Sequence, residues 1–233
     1  MTGPQSEKDS GLLSGFSELT LRIISALVLI AIFLPILWIG GIAFVAMCLV
    51  LSSILFFEWT RILRAGDNQK SKGVWVLLGS LYSAIPIILL PPLRNTDAPA
   101  GILLILFLFL IVAVTDVAAY FAGRSIGGPK LAPRISPKKT WSGALGGLFA
   151  AILVGALFGY FVLPEMIFVC GVGAGVLSVF SQAGDMFESS VKRYFGVKDS
   201  SNLIPGHGGF MDRLDGMLFA VIPMFVYVYL TAN

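Results

Sequence analysis

Charge is scarce in this chain. Only 12% of its 233 residues are Asp, Glu, Lys or Arg, and 57% are hydrophobic. Soluble domains carry about 25% charged and about 45–50% apolar residues. With a mean hydropathy of +0.89, the balance excludes an ordinary water-soluble domain and describes a membrane protein. Histidine is rarer still, since His207 is the only one. The two cysteines, Cys48 and Cys170, both fall inside apolar runs. They read as small apolar fillers rather than a structural disulfide, and nothing resembles a zinc site. The apolar runs are continuous rather than alternating, which argues against a transmembrane barrel. No internal repeat is evident. The first apolar run is too long for a secretory signal core and lacks a clear small-residue cleavage site, so it reads as a retained helix.

A helix needs roughly 20 mainly apolar residues to cross the hydrocarbon core. Seven runs qualify as candidates: Leu21–Ile39, Gly41–Trp59, Val74–Leu90, Gly101–Phe121, Gly143–Leu163, Met166–Ala183 and Gly216–Thr231. The last is short and is expected to extend backward toward Asp212. The expected fold is all-α, a polytopic integral membrane protein of about seven transmembrane helices with its N-terminus cytoplasmic. Lys and Arg concentrate on cytoplasmic loops, and this topology leaves only Arg94 of the 16 basic residues on the other side. Residues 1–18 read as a disordered polar tail. Residues 19–95 read as scaffold helices with almost no unusual polar groups. Residues 96–233 read as the region that carries the unusual polar groups, the candidate catalytic region, with cytoplasmic loops 124–142 and 189–215. Basic loops also arise from topology alone, and Arg61, Arg64, Lys70 and Lys72 carry no further signal.

The chemistry-bearing residues gather late in the chain. If the sixth helix continues past its apolar run, Asp185, Ser189 and Lys192 fall on one face, with Glu188 beside them. Asp212 and Asp215, three apart at the start of the seventh helix, also share a face. Two such acidic faces meeting at one depth could seat a cation, and magnesium favours one or two carboxylates plus waters and phosphates. The same groups could instead form an ion-pair network, Asp185 with Lys192 and Asp212 or Asp215 with Arg193 or Arg213. Acids near a bilayer are costly and default to a functional hypothesis. Gly206, Gly208 and Gly209 could bring backbone N–H groups to phosphate oxygens, or merely turn the chain back into the membrane. His207 could contact phosphate or serve as a structural hydrogen bonder. Pro129, Pro133 and Pro137 forbid a regular helix through the earlier loop. There Lys138 and Lys139 could serve as compact charges for phosphates. Asp116, within the cytoplasmic half of its helix, needs a partner: a basic loop residue, a metal or a sugar hydroxyl.

The pattern Ser189, Val191-Lys192-Arg193, Lys198-Asp199, Ser201, Ile204-Pro205, His207-Gly208-Gly209-Phe210 and Asp212-Arg213-Leu214-Asp215 resembles the signature of the phosphatidate cytidylyltransferases, or CDP-diacylglycerol synthases. Gln182, Gly184-Asp185 and Glu188-Ser189 resemble the family's companion motif. Asp116, Ala119-Tyr120, Gly123-Arg124 and Ser136-Pro137-Lys138-Lys139-Thr140 resemble its upstream block. Ala118 stands where many members carry glycine. The resemblance covers roughly residues 110–233.

The resemblance implies a reaction at the membrane surface: CTP and phosphatidic acid give CDP-diacylglycerol and pyrophosphate, for phospholipid biosynthesis. It implies magnesium, with a potassium ion as a second cation, and a homodimer in the bilayer of a bacterial-type inner membrane. No nucleic-acid partner is implied. Carried over residue by residue, Asp185, Asp212, Lys192 and Arg213 become the catalytic candidates, and Asp185, Asp212 and Asp215 the metal ligands. Ser136, Lys138, Lys139, Ser189, Arg193, Lys198, Asp199, His207, Gly208, Gly209 and Asp116 become candidates for binding substrate. Two other readings use the same residues. A CTP-dependent lipid kinase would move the γ-phosphate instead of the cytidylyl group. A secondary transporter would use Asp116, Asp185 and Asp212 as coupling groups, but transporters commonly show repeats and midplane sites.

Overall fold

A computed structural model describes residues 18–65, 72–96, 99–204 and 208–232. The polar N-terminal residues 1–17 and His207 therefore lie outside the described residues. Seven helices follow in order: α1 (Glu18–Ile39), α2 (Gly41–Ala65), α3 (Lys72–Arg94), α4 (Ala100–Ser125), α5 (Trp141–Val162), α6 (Ile167–Tyr194) and α7 (Met211–Ala232). Between α4 and α5 lies a small antiparallel hairpin of β1 (Lys130–Ala132) and β2 (Ser136–Thr140). The prolines that bar a helix here leave a hairpin rather than an unstructured loop.

Among the described residues, six helices, α2 to α7, are long and apolar enough to cross a membrane. The chain is thus an all-α, multi-pass membrane protein. In α1 the apolar stretch is the shorter Ile23–Ile39. Two element boundaries differ from the reading of segment 189–215 as a loop. Helix α6 runs on to Tyr194 and α7 begins at Met211, so both ends of that segment are helical.

Successive helices pack on one another and alternate in direction. One end of the bundle gathers the C-termini of α2, α4 and α6, the N-termini of α3, α5 and α7, and the hairpin. The described basic residues cluster at this end. Arg94 lies at the other end and is buried. Its guanidinium donates to Leu37 O at 2.6 Å and Trp38 O at 2.9 Å, closing the C-terminal carbonyls of α1. A helix end leaves such carbonyls without intrahelical partners.

Helix α5 carries Gly143, Gly147, Ala151, Gly155 and Gly159 as a buried stripe, one residue every four. Small residues at this spacing let helix backbones approach closely. A Cβ at Gly147 would stand 2.8 Å from Thr115 O on α4, and one at Gly155 would stand 2.6 Å from Cys170 O on α6. The stripe therefore clamps α4 at one end of α5 and α6 at the other. The main core includes Leu37, Phe44, Cys48, Ile105, Leu108 and Met217. A second cluster of Leu55, Trp59, Tyr82, Val191, Met211 and Leu218 packs α2, α3, α6 and α7 at the basic end. Both cysteines are unbridged, as expected.

Candidate functional site at the α6–α7 junction

The site begins with the continuation of α6. Because the helix does not stop at Ala183, Glu188 and Lys192 stand one turn apart on its last turns. Lys192 Nζ lies 2.7 Å from Glu188 Oε2 and 2.6 Å from Asp212 Oδ1. One buried ammonium thus joins carboxylates of two helices. Glu188 is the more deeply buried acid, 1% exposed, and its Oε1 has no hydrogen-bond partner among the described residues. The hydroxyl of Tyr82 and that of Ser181 are buried without partners in the same sense.

Asp212, in the first turn of α7, gathers donors from the loop before it. Ser200 N (3.1 Å), Ser200 Oγ (2.9 Å) and Gly209 N (2.9 Å) all donate to Oδ2. Acids are favoured at a helix N-terminus, where backbone N–H groups lack partners. The loop closes on itself through paired bonds, Ile204 N to Gly208 O and Gly208 N to Ile204 O. Gly208 has φ +84°, a left-handed conformation open to glycine at no steric cost. At Gly209 the constraint is space: an added Cβ would fall 1.9 Å from Ser200 Oγ. The amides of Gly208 and Gly209 are thus spent on Ile204 and Asp212, and in this structure neither is turned to an external phosphate.

A residue that sequence reasoning assigned to bare scaffold completes this junction. Glu58 on α2 is wholly buried. Its Oε1 accepts from Phe210 N at 3.0 Å and from Ser201 Oγ; its Oε2 accepts from Met211 N at 2.7 Å and Ser200 Oγ at 3.4 Å. A carboxylate of one helix therefore caps the N-terminus of another. A signal was present, since Glu58 is the only acid between Glu18 and Asp67 and sits in a run of Leu, Phe and Trp.

The hairpin supplies the third part. Thr140 caps α5 by accepting from Gly143 N at 3.1 Å. The residue before it, Lys139, is paired with Asp185 Oδ2. Asp185 Oδ1 accepts from Ser189 Oγ at 3.3 Å, so the face expected of Asp185 and Ser189 exists. Of the alternative ion pairs, Asp185 with Lys192 does not form: Lys192 pairs with Glu188 and Asp212 instead. Asp116, Asp185 and Asp215 bear on one another electrostatically, and Asp212 and Asp215 both bear on Glu188, with Lys139 and Lys192 among them.

The remaining candidates stand less closely joined. Ser136 opens β2 and is half-buried, while Lys138 is exposed. Arg193 donates to Val197 O at 3.0 Å, which closes the end of α6. Lys198 and Asp199 are exposed on the connecting loop, and Arg213 is exposed on the first turn of α7. Among the described residues, no group of three or more His, Cys, Asp or Glu side chains is arranged to hold a metal ion.

Comparison with known proteins agrees with the motif. The model of the cytidylyltransferase family matches residues 20–94 and 70–231. A phosphatidate cytidylyltransferase of Brucella suis biovar 1 (strain 1330) is 38% identical over 253 residues, covering 91% of this chain and 93% of the relative. One from Rickettsia bellii (strain RML369-C) is 38% identical over 217 residues, covering 90% of each chain. One from Staphylococcus epidermidis (strain ATCC 35984) is 49% identical over 125 residues, covering 53% of this chain and 48% of the relative. The matched regions take in α1 to α7 and both halves of the junction just described, and the chain belongs to the cytidylyltransferase family.

Proposed function

We propose that this chain is a phosphatidate cytidylyltransferase, transferring the cytidylyl group of CTP to phosphatidic acid to give CDP-diacylglycerol and pyrophosphate. The observation that carries the reading is the meeting of α6 and α7, where acids and lysines alternate at one end of an apolar bundle. An oxygen of the lipid phosphate attacks the α-phosphorus of CTP. A new P–O bond forms there, and the bond between the α-phosphorus and the bridging oxygen of pyrophosphate breaks. The attacking oxygen is already ionised near neutral pH, so the site needs no strong general base. That suits a junction built of Asp, Glu, Lys and Arg.

Two anions must approach, so fixed positive charge is required. Lys192, Arg193, Lys198 and Arg213 hold the phosphates of CTP and lipid, with Lys138, Lys139 and Ser136 assisting from the hairpin. Asp116, Ser189, Asp199 and His207 complete the binding surface, while the Gly208–Gly209 turn holds Asp212 in place. A hard cation fits the donor set: the electrostatically linked carboxylates, and buried Glu188 Oε1 with no partner among the described residues, are oxygen donors of the kind magnesium takes. Magnesium would be held by Asp185, Asp212 and Asp215, with few protein ligands and the rest from phosphates and water. When bound it would supply positive charge that offsets the negative charge developing on the phosphates. Potassium is the second cation we propose.

The protein crosses the membrane seven times, with α1 as the first span, its N-terminus and basic end in the cytoplasm of a bacterial-type inner membrane, and works as a homodimer. The sorting of basic residues supports the orientation; the family resemblance supports the dimer. A purified-protein assay in mixed micelles tests the reaction. CTP, phosphatidic acid and magnesium should yield CDP-diacylglycerol and pyrophosphate in equal amounts. Absence of CDP-diacylglycerol from folded protein would refute the reading.

A further inference from the structure

We infer that Glu58 on α2 is a positioning residue for the reaction, fixing the middle of the α6–α7 loop and its entry into α7 and, through Ser200, the orientation of the Asp212 carboxylate. The inference rests on the proposal that Asp212 belongs to the reaction centre.

Glu58 makes a costly choice of residue. A buried carboxylate in an apolar helix is unfavourable unless its oxygens are satisfied, and well-packed apolar residues often hold helices together as well or better. Its donors, Phe210 N, Met211 N, Ser201 Oγ and the Ser200 hydroxyl that it shares with Asp212, are neutral and come from the middle of the loop and from its entry into α7. It therefore sets where the loop can lie, in a way that greasy packing of α2 on α7 would not.

The link to Asp212 is one residue long. Ser200 Oγ lies 3.4 Å from Glu58 Oε2 and 2.9 Å from Asp212 Oδ2, and Ser200 N donates to Asp212 at 3.1 Å. Gly209 is held in the same grip. Its N–H donates to Asp212 Oδ2 at 2.9 Å, while a Cβ added to it would fall 2.6 Å from Glu58 Oε1. Two carboxylates from different helices thus share the same pair of loop residues, and Asp212 passes the constraint to Lys192. Displacing Glu58 would turn the Asp212 carboxylate without touching it. Outer partners that orient metal-binding groups commonly change metal affinity or activity by about 10–100-fold when removed.

The test uses full-length protein in mixed micelles and compares Glu58→Gln, Ser201→Ala, Ser200→Ala and Asp212→Asn. Gln keeps the shape but sets an N–H group against donors. Four quantities are read on the folded fraction: KM for CTP, kcat, the magnesium activation constant, and hydrogen exchange of the peptide covering 208–212. Glu58→Gln should speed exchange there and raise the magnesium constant about 10-fold or more. Adding Ser200→Ala should do little further, because the two act along one route. Should Glu58→Gln fail to fold, Ser201→Ala carries the test, since it removes one donor of Glu58 (and the acceptor of Leu203 N) while sparing the contacts of Asp212, and should move the magnesium constant in the same direction. A Glu58 variant with lowered thermal stability but unchanged KM and magnesium constant would make the residue a mere anchor and overturn the inference. Fully additive effects of Glu58→Gln and Ser200→Ala would overturn the route. Asp212→Asn separates the two readings. If it leaves the magnesium constant unchanged, the assignment of Asp212 fails; if it is sensitive and Glu58→Gln is not, the inference about Glu58 fails alone.

Discussion

Lys192 on α6 and Asp212 on α7 are joined Nζ to Oδ1 at 2.6 Å, across the loop that bears the family motif. The same ammonium meets Glu188 at 2.7 Å, so one charge ties together two helices and two acids. Everything placed at the junction depends on this tie. It fixes how far the end of α6 stands from the start of α7, and so how close Asp185 and Asp215 come.

Lys192→Met should leave Glu188 buried with no opposite charge. Removing one partner of a buried ion pair costs about 3–5 kcal/mol. Asp212 keeps its contacts with Ser200 and Gly209, so the lower end of that range is expected. Thermal unfolding in detergent measures it, and a change smaller than the scatter between preparations would contradict the geometry.

Asp185→Asn and Asp212→Asn should each remove turnover by on the order of 100-fold or more, the upper range for disturbed metal sites, while leaving the protein folded. Asn keeps the shape of Asp and can still accept hydrogen bonds. The check is specific activity against size-exclusion profile and melting temperature. Near-wild-type turnover in both variants would reject these acids as ligands.

Gly184→Ala tests the closeness of α6 and α7. An added methyl would stand 2.4 Å from Asp215 O and 2.9 Å from Phe219 Cβ. Overpacking of this kind costs about 1–3 kcal/mol and here would push Asp215 away from Asp185. Activity should therefore fall more than stability does, which paired melting and rate measurements would show.

Arg94→Met is the converse case. It leaves Leu37 O and Trp38 O without their buried donors at the far end of the bundle, at a cost of about 1–3 kcal/mol. The melting temperature should drop while KM for CTP stays at the wild-type value. A raised KM would mean that the two ends of the bundle are coupled.

Much of this was legible in the sequence. The apolar runs located all seven helices, and the spacing of Asp185 and Ser189 correctly implied a shared face on a helix that outlasts its apolar stretch. Periodicity gives no end point for such a helix, because a polar last turn at a membrane edge looks like loop. The partner of Lys192 stayed open for a related reason. Spacing reports which residues share a face of α6, but not that α7 brings Asp212 within 2.6 Å of Lys192. Glu58 stayed hidden because its donors lie more than 140 positions away and two of them are backbone amides. Arg94 looked like a stray charge on the outer side, yet its role is set by carbonyls of α1 that no local pattern marks.

The central claim is that the α-phosphorus of CTP, not the γ, is the one that moves to lipid. Purified protein with phosphatidic acid, magnesium and CTP labelled at either position decides it. Label from the α-position should enter the lipid fraction while γ-label leaves as pyrophosphate. Lipid carrying γ-label would contradict the account and make the protein a kinase.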